Sequence, residues 1–281
     1  MSRAEEILSM VKHIPSFPKV AHKVMGMIDN PEVKAKDLAE VIQFDQAITA
    51  NVLKMCNAAY FGLSRKVTSL DDALVVIGQS ILKDIIIASS SAKYYKGAVG
   101  AGYDLEQGDL WKHSVAVAIT AKMLAREIPG VDSSAAFTAG LLHDIGKRVV
   151  SSFVADEFEK IMAMVRLKNC SFVEAEVKCL GISHPELGAR ILEKWEFDKE
   201  MVEAVRMHHE LDSLKGGPLM KVVTLSNSLV ISTGIGVGAD GLASRVNGEE
   251  MAKLGFTEEK MDLLMAEVVM EMEKAEDILN I

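Results

Sequence analysis

Apolar residues recur at intervals of three and four positions along almost the whole chain. Leu38 and Ile42 are one example, and Ile48, Val52 and Met55 are another. This spacing places apolar side chains on one face of a helix, because an α-helix has 3.6 residues per turn. The pattern therefore predicts an all-α fold, a multi-helical bundle in which each helix buries one apolar face.

Small polar residues ahead of these apolar runs mark where helices are expected to begin. Their side chains can accept hydrogen bonds from the unpaired N–H groups of a first helical turn. Such starts are predicted at residues 16–18, 30–32, 69–71 and 132–133. Several short helices are therefore expected within residues 1–95.

A glycine-rich segment at residues 96–102 is expected to link two helical lobes, because clustered glycines interrupt helices. We predict an N-terminal helical lobe over residues 10–95, a second lobe over residues 104–232 and C-terminal helices over residues 245–281. The acidic stretch at residues 267–277 is expected to face solvent, as charge-rich helix faces usually do. Because apolar residues lie beside it, a helix-mediated homodimer contact is the alternative.

Composition and charge restrict the class of protein. A chain of 281 residues with 49% hydrophobic content can bury a substantial core. Its formal net charge of −9 argues against general nucleic-acid binding, which needs a basic surface. No apolar run approaches the roughly eighteen residues that cross a bilayer, and the first residues lack the order of a signal peptide. We expect a cytoplasmic protein without membrane contact.

Five of the seven histidines lie between positions 113 and 209. Asp109 and His113 are four positions apart and therefore share one face of a helix. His143 and Asp144 close an apolar helical run at residues 135–145, where adjacent side chains diverge by about 100°. One helix end could thus offer ligands to two neighbouring ions.

Three further histidines are predicted at helix ends. His184 lies in Ser-His-Pro-Glu, a capping-box pattern that places it in the first turn of a helix. His208 and His209 close a helical segment that begins near Asp198. Imidazoles at such positions are accessible to a shared ion.

The residue types indicate a metal site. Imidazole and carboxylate ligands without a thiolate suit iron, manganese, nickel or zinc. A carboxylate can bridge two ions about 3.5–4 Å apart, and Asp144 is the natural bridge. Each histidine alone is more readily explained as a surface or hydrogen-bonded core residue. The coincidence of seven residues favours one or two divalent ions, with these ligands: Asp109, His113, His143, Asp144, His184, His208 and His209.

Combined motifs resemble a known family. Trp-Lys-His-Ser at 111–114, His-Asp-Ile-Gly-Lys at 143–147 and His-His-Glu at 208–210 resemble the HD superfamily of metal-dependent phosphohydrolases. Upstream motifs narrow the resemblance to the HDOD domain, whose members are mostly regarded as non-enzymatic signalling modules of bacteria. The resemblance spans about residues 10–230 and implies an HD-domain-like bundle with an N-terminal helical lobe. The upstream motifs lie at residues 14–18, 42–45, 57–62 and 73–78.

The site also resembles that of the HD-GYP cyclic-dinucleotide phosphodiesterases, whose pattern the seven residues above match together with Lys147 and Gly188. By this resemblance the late aspartate of that family corresponds to Asn227, whose neutral amide is a weaker ligand. The loop after residue 210 also lacks the tyrosine of that family. These departures place substrate recognition in greater doubt than metal binding.

Residues 236–241 satisfy the dinucleotide-binding pattern Gly-x-Gly-x-x-Gly. The preceding stretch is predicted to be helical, and no strand-helix-strand unit surrounds it. We therefore interpret the segment as a flexible loop.

Two functions remain open. The favoured one is a signalling or regulatory HDOD module that acts through a protein partner or a nucleotide ligand. The alternative is a metal-dependent phosphohydrolase acting on a nucleotide or cyclic dinucleotide, by in-line attack of a metal-activated water. Asp144 would then hold the ions and Lys147 would face phosphate oxygens. If the site is not catalytic, Lys147 is expected to be a favourable cation at a helix C-terminus.

Overall fold

The computed structural model describes residues 2–28, 30, 32–57, 66–95, 102–168, 170–210, 212–241, 248–275 and 279. Within this part of the chain every regular element is helical, which confirms the all-α prediction. The helices are α1 (Arg3–Val11), α2 (Lys19–Ile28), α3 (Ala35–Ile42), α4 (Gln46–Cys56), α5 (Leu70–Tyr95), α6 (Asp109–Leu124), α7 (Ser133–Leu142), α8 (Lys147–Lys168), α9 (Phe172–Leu180), α10 (His184–Lys194), α11 (Lys199–Met207), α12 (Pro218–Thr233), α13 (Gly248–Lys253) and α14 (Glu258–Lys274), with a 3₁₀ turn at Ser213–Lys215.

The chain divides into two compact units. The larger unit comprises Met1–Pro15 and Tyr94–Val269, and the smaller unit comprises Ser16–Lys93 and Met270–Ile281. The predicted linker at residues 96–102 lies, except for its last residue, outside the described part of the chain. The domain limits proposed from sequence stay a prediction.

Polar residues cap several helices where the sequence predicts a start. Asp132 accepts a hydrogen bond from the backbone N–H three positions on, at the start of α7. Ser69 does the same ahead of α5. The start predicted at residues 30–32 is wrong, because α3 begins at Ala35, where the Asp37 carboxylate caps the first turn.

Helix α5 corrects one expectation from sequence. By length and composition alone it could cross a membrane, although 67% of its most apolar window is buried within the protein. That burial is typical of a core helix. The helix is also kinked at Gly78, whose φ of 74° and ψ of 172° are not helical. Glycine adopts this backbone conformation easily, whereas residues with a side chain do not.

Helices α6, α7 and α12 form the core of the larger unit. Most residues of α6 are buried, as expected for a central helix with neighbours on several sides. Gly140 on α7 allows close packing, since a Cβ there would collide with the α6 backbone at Ala118. This core carries His113 on α6 and Asn227 on α12, and it positions the site.

The acidic helix α14 carries the residues of the predicted homodimer contact. Leu263 and Val269 are exposed, whereas Leu264 and Val268 are buried. Residue 278, which belongs to the same apolar set, lies outside the described residues. The homodimer stays a prediction.

Candidate metal centre

Side chains from four places in the larger unit converge on one buried carboxylate, that of Asp144. This aspartate lies in the turn between α7 and α8 and is fully buried. Around it stand His113 in the second turn of α6, His143 at the C-cap of α7, His184 as the first residue of α10, His208 at the C-cap of α11, and the adjacent His209.

The two oxygens of Asp144 face different histidines. Oδ1 lies 3.3 Å from Nε2 of His184 and 3.6 Å from Nε2 of His208. Oδ2 lies 3.3 Å from Nε2 of His143 and 3.7 Å from Nε2 of His113. The ligand atoms thus form two groups that share this aspartate, each with all its atoms within 4.8 Å of one another: Asp144, His184, His208 and His209; and His113, His143 and Asp144.

Hydrogen bonds on the far side of the rings leave the Nε2 atoms free to bind a cation. Nδ1 of His143 donates to the Gly140 carbonyl at 2.7 Å, and Nδ1 of His208 donates to the Val205 carbonyl at 2.6 Å. Because a carbonyl only accepts, each Nδ1 carries the proton in the neutral ring. Nε2 is then a lone-pair donor directed at the carboxylate.

Five buried ligand atoms around this carboxylate have no hydrogen-bond partner. Each unpaired buried polar atom costs about 1–3 kcal/mol, so such a cluster calls for a common cation. The donor set therefore fits a divalent metal. The atoms are Nε2 of His143, His184, His208 and His209, and Oδ1 of Asp144.

The turn that carries Asp144 packs directly against the start of α10. A Cβ at Gly146 would collide with the His184 carbonyl, and the backbone nitrogen of Gly188 lies beside the same point. Glycine at position 146 therefore allows the two backbones to approach. This close approach brings Asp144 beside His184.

Glu176 on α9 is a buried second partner of His184 that the sequence analysis missed. Its carboxylate oxygens lie 2.9 and 3.0 Å from Nδ1 of His184, and one of them also accepts the backbone N–H of His184 at 2.9 Å. Glu176 therefore both caps α10 and orients the ring, as acidic partners of metal-binding histidines commonly do. Ser183, predicted to cap this helix, makes no side-chain capping bond. The Tyr103 hydroxyl donates to the same carboxylate.

A sequence signal for Glu176 existed. It shares one face of α9 with Phe172, Ala175 and Leu180, all of which are buried. A lone acid on an otherwise apolar helix face needs a buried partner. The pattern could have identified the residue, but not its partner.

Lys147 is buried between two carboxylates. Its Nζ lies 2.6 Å from Oδ2 of Asp144 and 2.6 Å from Oδ2 of Asp240. The expectation of a cation at a helix C-terminus is wrong, because Lys147 is the first residue of α8 and is 3% exposed. Asp240 was also missed, since its partner lies 93 positions away in the sequence.

The glycine-rich segment that contains Asp240 is a loop, as the sequence predicts, but it contributes directly to the site. The Ile235 carbonyl accepts a hydrogen bond from Nδ1 of His113 at 3.2 Å. A Cβ at Gly236 would collide with the carbonyl of Asp109, so the loop lies tightly against the start of α6. The loop therefore orients one ligand ring and supplies a carboxylate to Lys147.

Two predicted ligands differ from the rest. Asp109 is the first residue of α6, and its carboxylate accepts the backbone N–H of Glu106 at 2.9 Å. It does not belong to either group of converging ligand atoms. Asn227 does lie at the site, where its side-chain oxygen is 3.0 Å from Nε2 of His113.

Burial keeps most of the imidazoles neutral. It lowers the pKa of His113 and of His208 to about 4 each, and it lowers the pKa of His209 well below its ordinary value. Burial acts in the same direction on His184, but the carboxylates of Glu176 and Asp144 together outweigh it and raise the pKa of His184 to about 9. A metal at His184 would therefore displace a proton.

Asp144 is held in its ionised form. Burial alone would raise its pKa, but His143 and the Lys147 ammonium hold the pKa of this carboxyl well below its usual range. Burial alone would likewise lower the pKa of Lys147, but the carboxylates of Asp144 and Asp240 raise it. The centre thus contains an ionised carboxylate beside a charged lysine.

A family model for the HDOD domain matches residues 14–211. The chain belongs to the HDOD family. A structure of an HDOD domain protein with unknown function from Geobacter sulfurreducens superimposes with a TM-score of 0.75 at 23% identity, covering 99% of this chain and 97% of that one. That likeness shows the same HDOD fold.

Curated relatives are longer than this chain. An uncharacterised protein of Treponema pallidum is 24% identical over 230 residues, which is 81% of this chain and 44% of that protein. Ribonuclease Y of Mesoplasma florum is 26% identical over 164 residues, which is 58% of this chain and 27% of that enzyme. The chain therefore spans less than half the length of either relative.

Proposed function

We propose that this chain is a metal-binding regulatory HDOD module that acts in bacterial cytoplasmic signalling through a protein partner or a nucleotide ligand. The observation that carries the proposal is the set of five buried ligand atoms around Asp144 that lack hydrogen-bond partners. A bound divalent ion would satisfy most of them and connect the turn after α7, the start of α10 and the end of α11. The ion would thereby stabilise the surface that a partner recognises.

Three features favour regulation over catalysis. The side chains of Asp144, His143, His184 and His208 are at most 1% exposed, which leaves little room for a substrate beside them. Lys147, which an enzyme would direct at phosphate oxygens, is instead paired with two carboxylates. Asn227 occupies the position where the HD-GYP resemblance expects an aspartate.

The second candidate is a metal-dependent phosphohydrolase, with Asp144 and Lys147 as its catalytic residues. The observation that favours it is that the two oxygens of Asp144 face two separate groups of ligand atoms, as a bridging carboxylate does in two-ion hydrolases. A bound metal would supply Lewis-acid polarisation of a phosphodiester. Lys147 would stabilise negative charge on its oxygens. Similarity to a ribonuclease is consistent with this chemistry.

Elemental analysis of the purified protein and of Asp144→Ala tests the proposal. Both are reconstituted with manganese or iron, desalted and then assayed on a cyclic dinucleotide and on RNA. Asp156→Ala is the matched control, because Asp156 is an exposed aspartate outside the site. We expect stoichiometric metal in the wild type and the control, little in Asp144→Ala, and no turnover.

The other outcomes separate the candidates. Turnover that needs metal and is lost in Asp144→Ala would establish the phosphohydrolase. Absence of metal from the wild type after reconstitution would overturn both candidates.

A further inference from the structure

The two ligand groups around Asp144 differ in how many of their atoms are available. In the group formed with His184, His208 and His209, all four ligand atoms are buried and lack hydrogen-bond partners. These are three imidazole nitrogens and Oδ1 of the carboxylate. This group is complete, and among the described residues no lysine or amide side chain is hydrogen-bonded to its ligand atoms.

In the other group, formed by His113, His143 and Asp144, two of the three ligand atoms already contact other side chains. Oδ2 of Asp144 already accepts a hydrogen bond from the Lys147 ammonium at 2.6 Å. Nε2 of His113 is in contact with the side-chain oxygen of Asn227 at 3.0 Å. Of its three ligand atoms, only Nε2 of His143 lacks a partner. A metal here would have to displace the buried Lys147 ammonium from Oδ2 of Asp144.

The balance of buried charges also favours one bound ion over two. Among the described residues of the larger unit, the buried charged side chains other than histidine are Asp144, Glu176, Asp240 and Lys147. With all the histidines neutral, as metal binding requires, these side chains carry a net charge of two negative units. One divalent ion balances them. A second ion would leave two uncompensated positive charges in a buried region, which is strongly unfavourable.

The spacing of the complete group suits a single ion. Four ligands arranged tetrahedrally at the usual metal–nitrogen and metal–oxygen distances lie about 3.4 Å from one another. The corresponding separations from Oδ1 of Asp144 are 3.3 Å to His184 and 3.6 Å to His208.

We propose that this chain binds one divalent ion, through Asp144 Oδ1, His184, His208 and His209, and that the Lys147 ammonium takes the place of a second ion. The inference rests on the proposed metal site and deepens it. Asp240 has a defined role in this arrangement, because it holds the ammonium against Oδ2 of Asp144. Loss of the lysine, together with a carboxylate in place of the Asn227 amide, would convert a one-ion site into a two-ion site.

Metal stoichiometry tests the inference. The full chain is stripped with a chelator, incubated with excess Mn²⁺ or Zn²⁺, desalted and measured by elemental analysis, and the binding isotherm is recorded by calorimetry. We expect one ion per chain in the wild type. His184→Ala should lose that ion, whereas His113→Ala should retain it, because His113 does not belong to the group that binds the ion.

Charge variants test the role of the lysine. Lys147→Met removes the internal cation, and Asn227→Asp adds a carboxylate beside His113. The double variant Lys147→Met/Asn227→Asp should bind two ions per chain. Arg148→Met is the matched control, because Arg148 is the adjacent but exposed cation, and it should bind one. Circular dichroism confirms that each variant is folded before binding is compared.

Each outcome decides a different claim. Two ions per wild-type chain, or loss of the single ion in His113→Ala, would overturn the one-ion inference while leaving the metal-binding proposal intact. A folded double variant that binds only one ion would show that Lys147 does not stand in for a cation. No metal in any sample would overturn the proposed function itself, and the inference with it.

Discussion

At the scale of single residues, the centre depends on the groups that hold the far side of each imidazole. Two rings are oriented by backbone carbonyls of their own helices, at Gly140 and Val205. His184 differs, because its partner is a carboxylate from another helix, that of Glu176. A charged partner makes the ring a stronger ligand than a carbonyl does.

Replacing Glu176 tests this contribution. Glu176→Gln removes the negative charge but retains the shape, so we expect metal affinity to fall by about 10–100-fold, the usual effect of losing such a partner. The measurement is a competition titration against a chromophoric chelator. Glu159→Gln, an exposed glutamate on α8, is the control. Equal affinity of Glu176→Gln and the control would contradict the assigned role.

At the scale of elements, the site depends on one close contact between backbones. The turn that follows α7 lies against the first turn of α10, and Gly146 leaves no room there for a Cβ. Because backbone atoms cannot move aside as a flexible side chain can, any larger residue must shift one element relative to the other. The distance between Asp144 and His184 depends on that contact.

Gly146→Ala is therefore expected to lower the free energy of unfolding by about 1–3 kcal/mol, the typical penalty for overpacking. Chemical denaturation followed by circular dichroism measures the change. Gly26→Ala is the control, because Gly26 lies on α2 with no atom within 4 Å of its added Cβ. That control should be neutral or stabilising by about 0.5–1 kcal/mol. An unchanged stability of Gly146→Ala would show that the two backbones separate easily.

The kink in α5 makes a second prediction at this scale. An added Cβ at Gly78 would meet no atom within 4 Å, so any effect of Gly78→Ala must come from the backbone angles. With φ at 74°, we expect a loss of about 1–3 kcal/mol in the free energy of unfolding. The same denaturation experiment and the same Gly26→Ala control apply. A stabilised variant would indicate that α5 is continuous in solution.

At the scale of the whole molecule, a bound ion would couple elements that are distant in sequence. Its proposed ligands come from the turn after α7, the start of α10 and the end of α11. A ligand that binds only the folded state stabilises that state by mass action. Metal binding should therefore be visible in global stability.

Removing the metal should lower the melting temperature. At a metal concentration 100 times the Kd the stabilisation is about 2.7 kcal/mol, which corresponds to about 5 °C for a chain of this size. Differential scanning calorimetry with and without EDTA measures the shift. Asp144→Ala should melt at the same temperature in both conditions. A shift of equal size in that variant would mean that the chelator acts elsewhere.

Local patterns in the sequence determined the fold class, several helix starts and the residue types of the candidate site. Helical periodicity and capping depend on residues three or four positions apart, so they can be read directly from the chain. The convergence of His143, Asp144, His184 and His208 agrees with the predicted clustering of imidazole and carboxylate ligands.

Only the tertiary structure decided how those ligands are divided. Asp109 has the same helical spacing from His113 that a ligand would have, yet its carboxylate accepts the backbone N–H of Glu106, ahead of α6. Lys147 lies in a recognisable motif, but its second partner, Asp240, comes from a loop 93 positions away. Such contacts depend on how helices and loops pack, which periodicity does not encode. Whether a carboxylate oxygen faces a lysine or a free ligand site is therefore settled by packing.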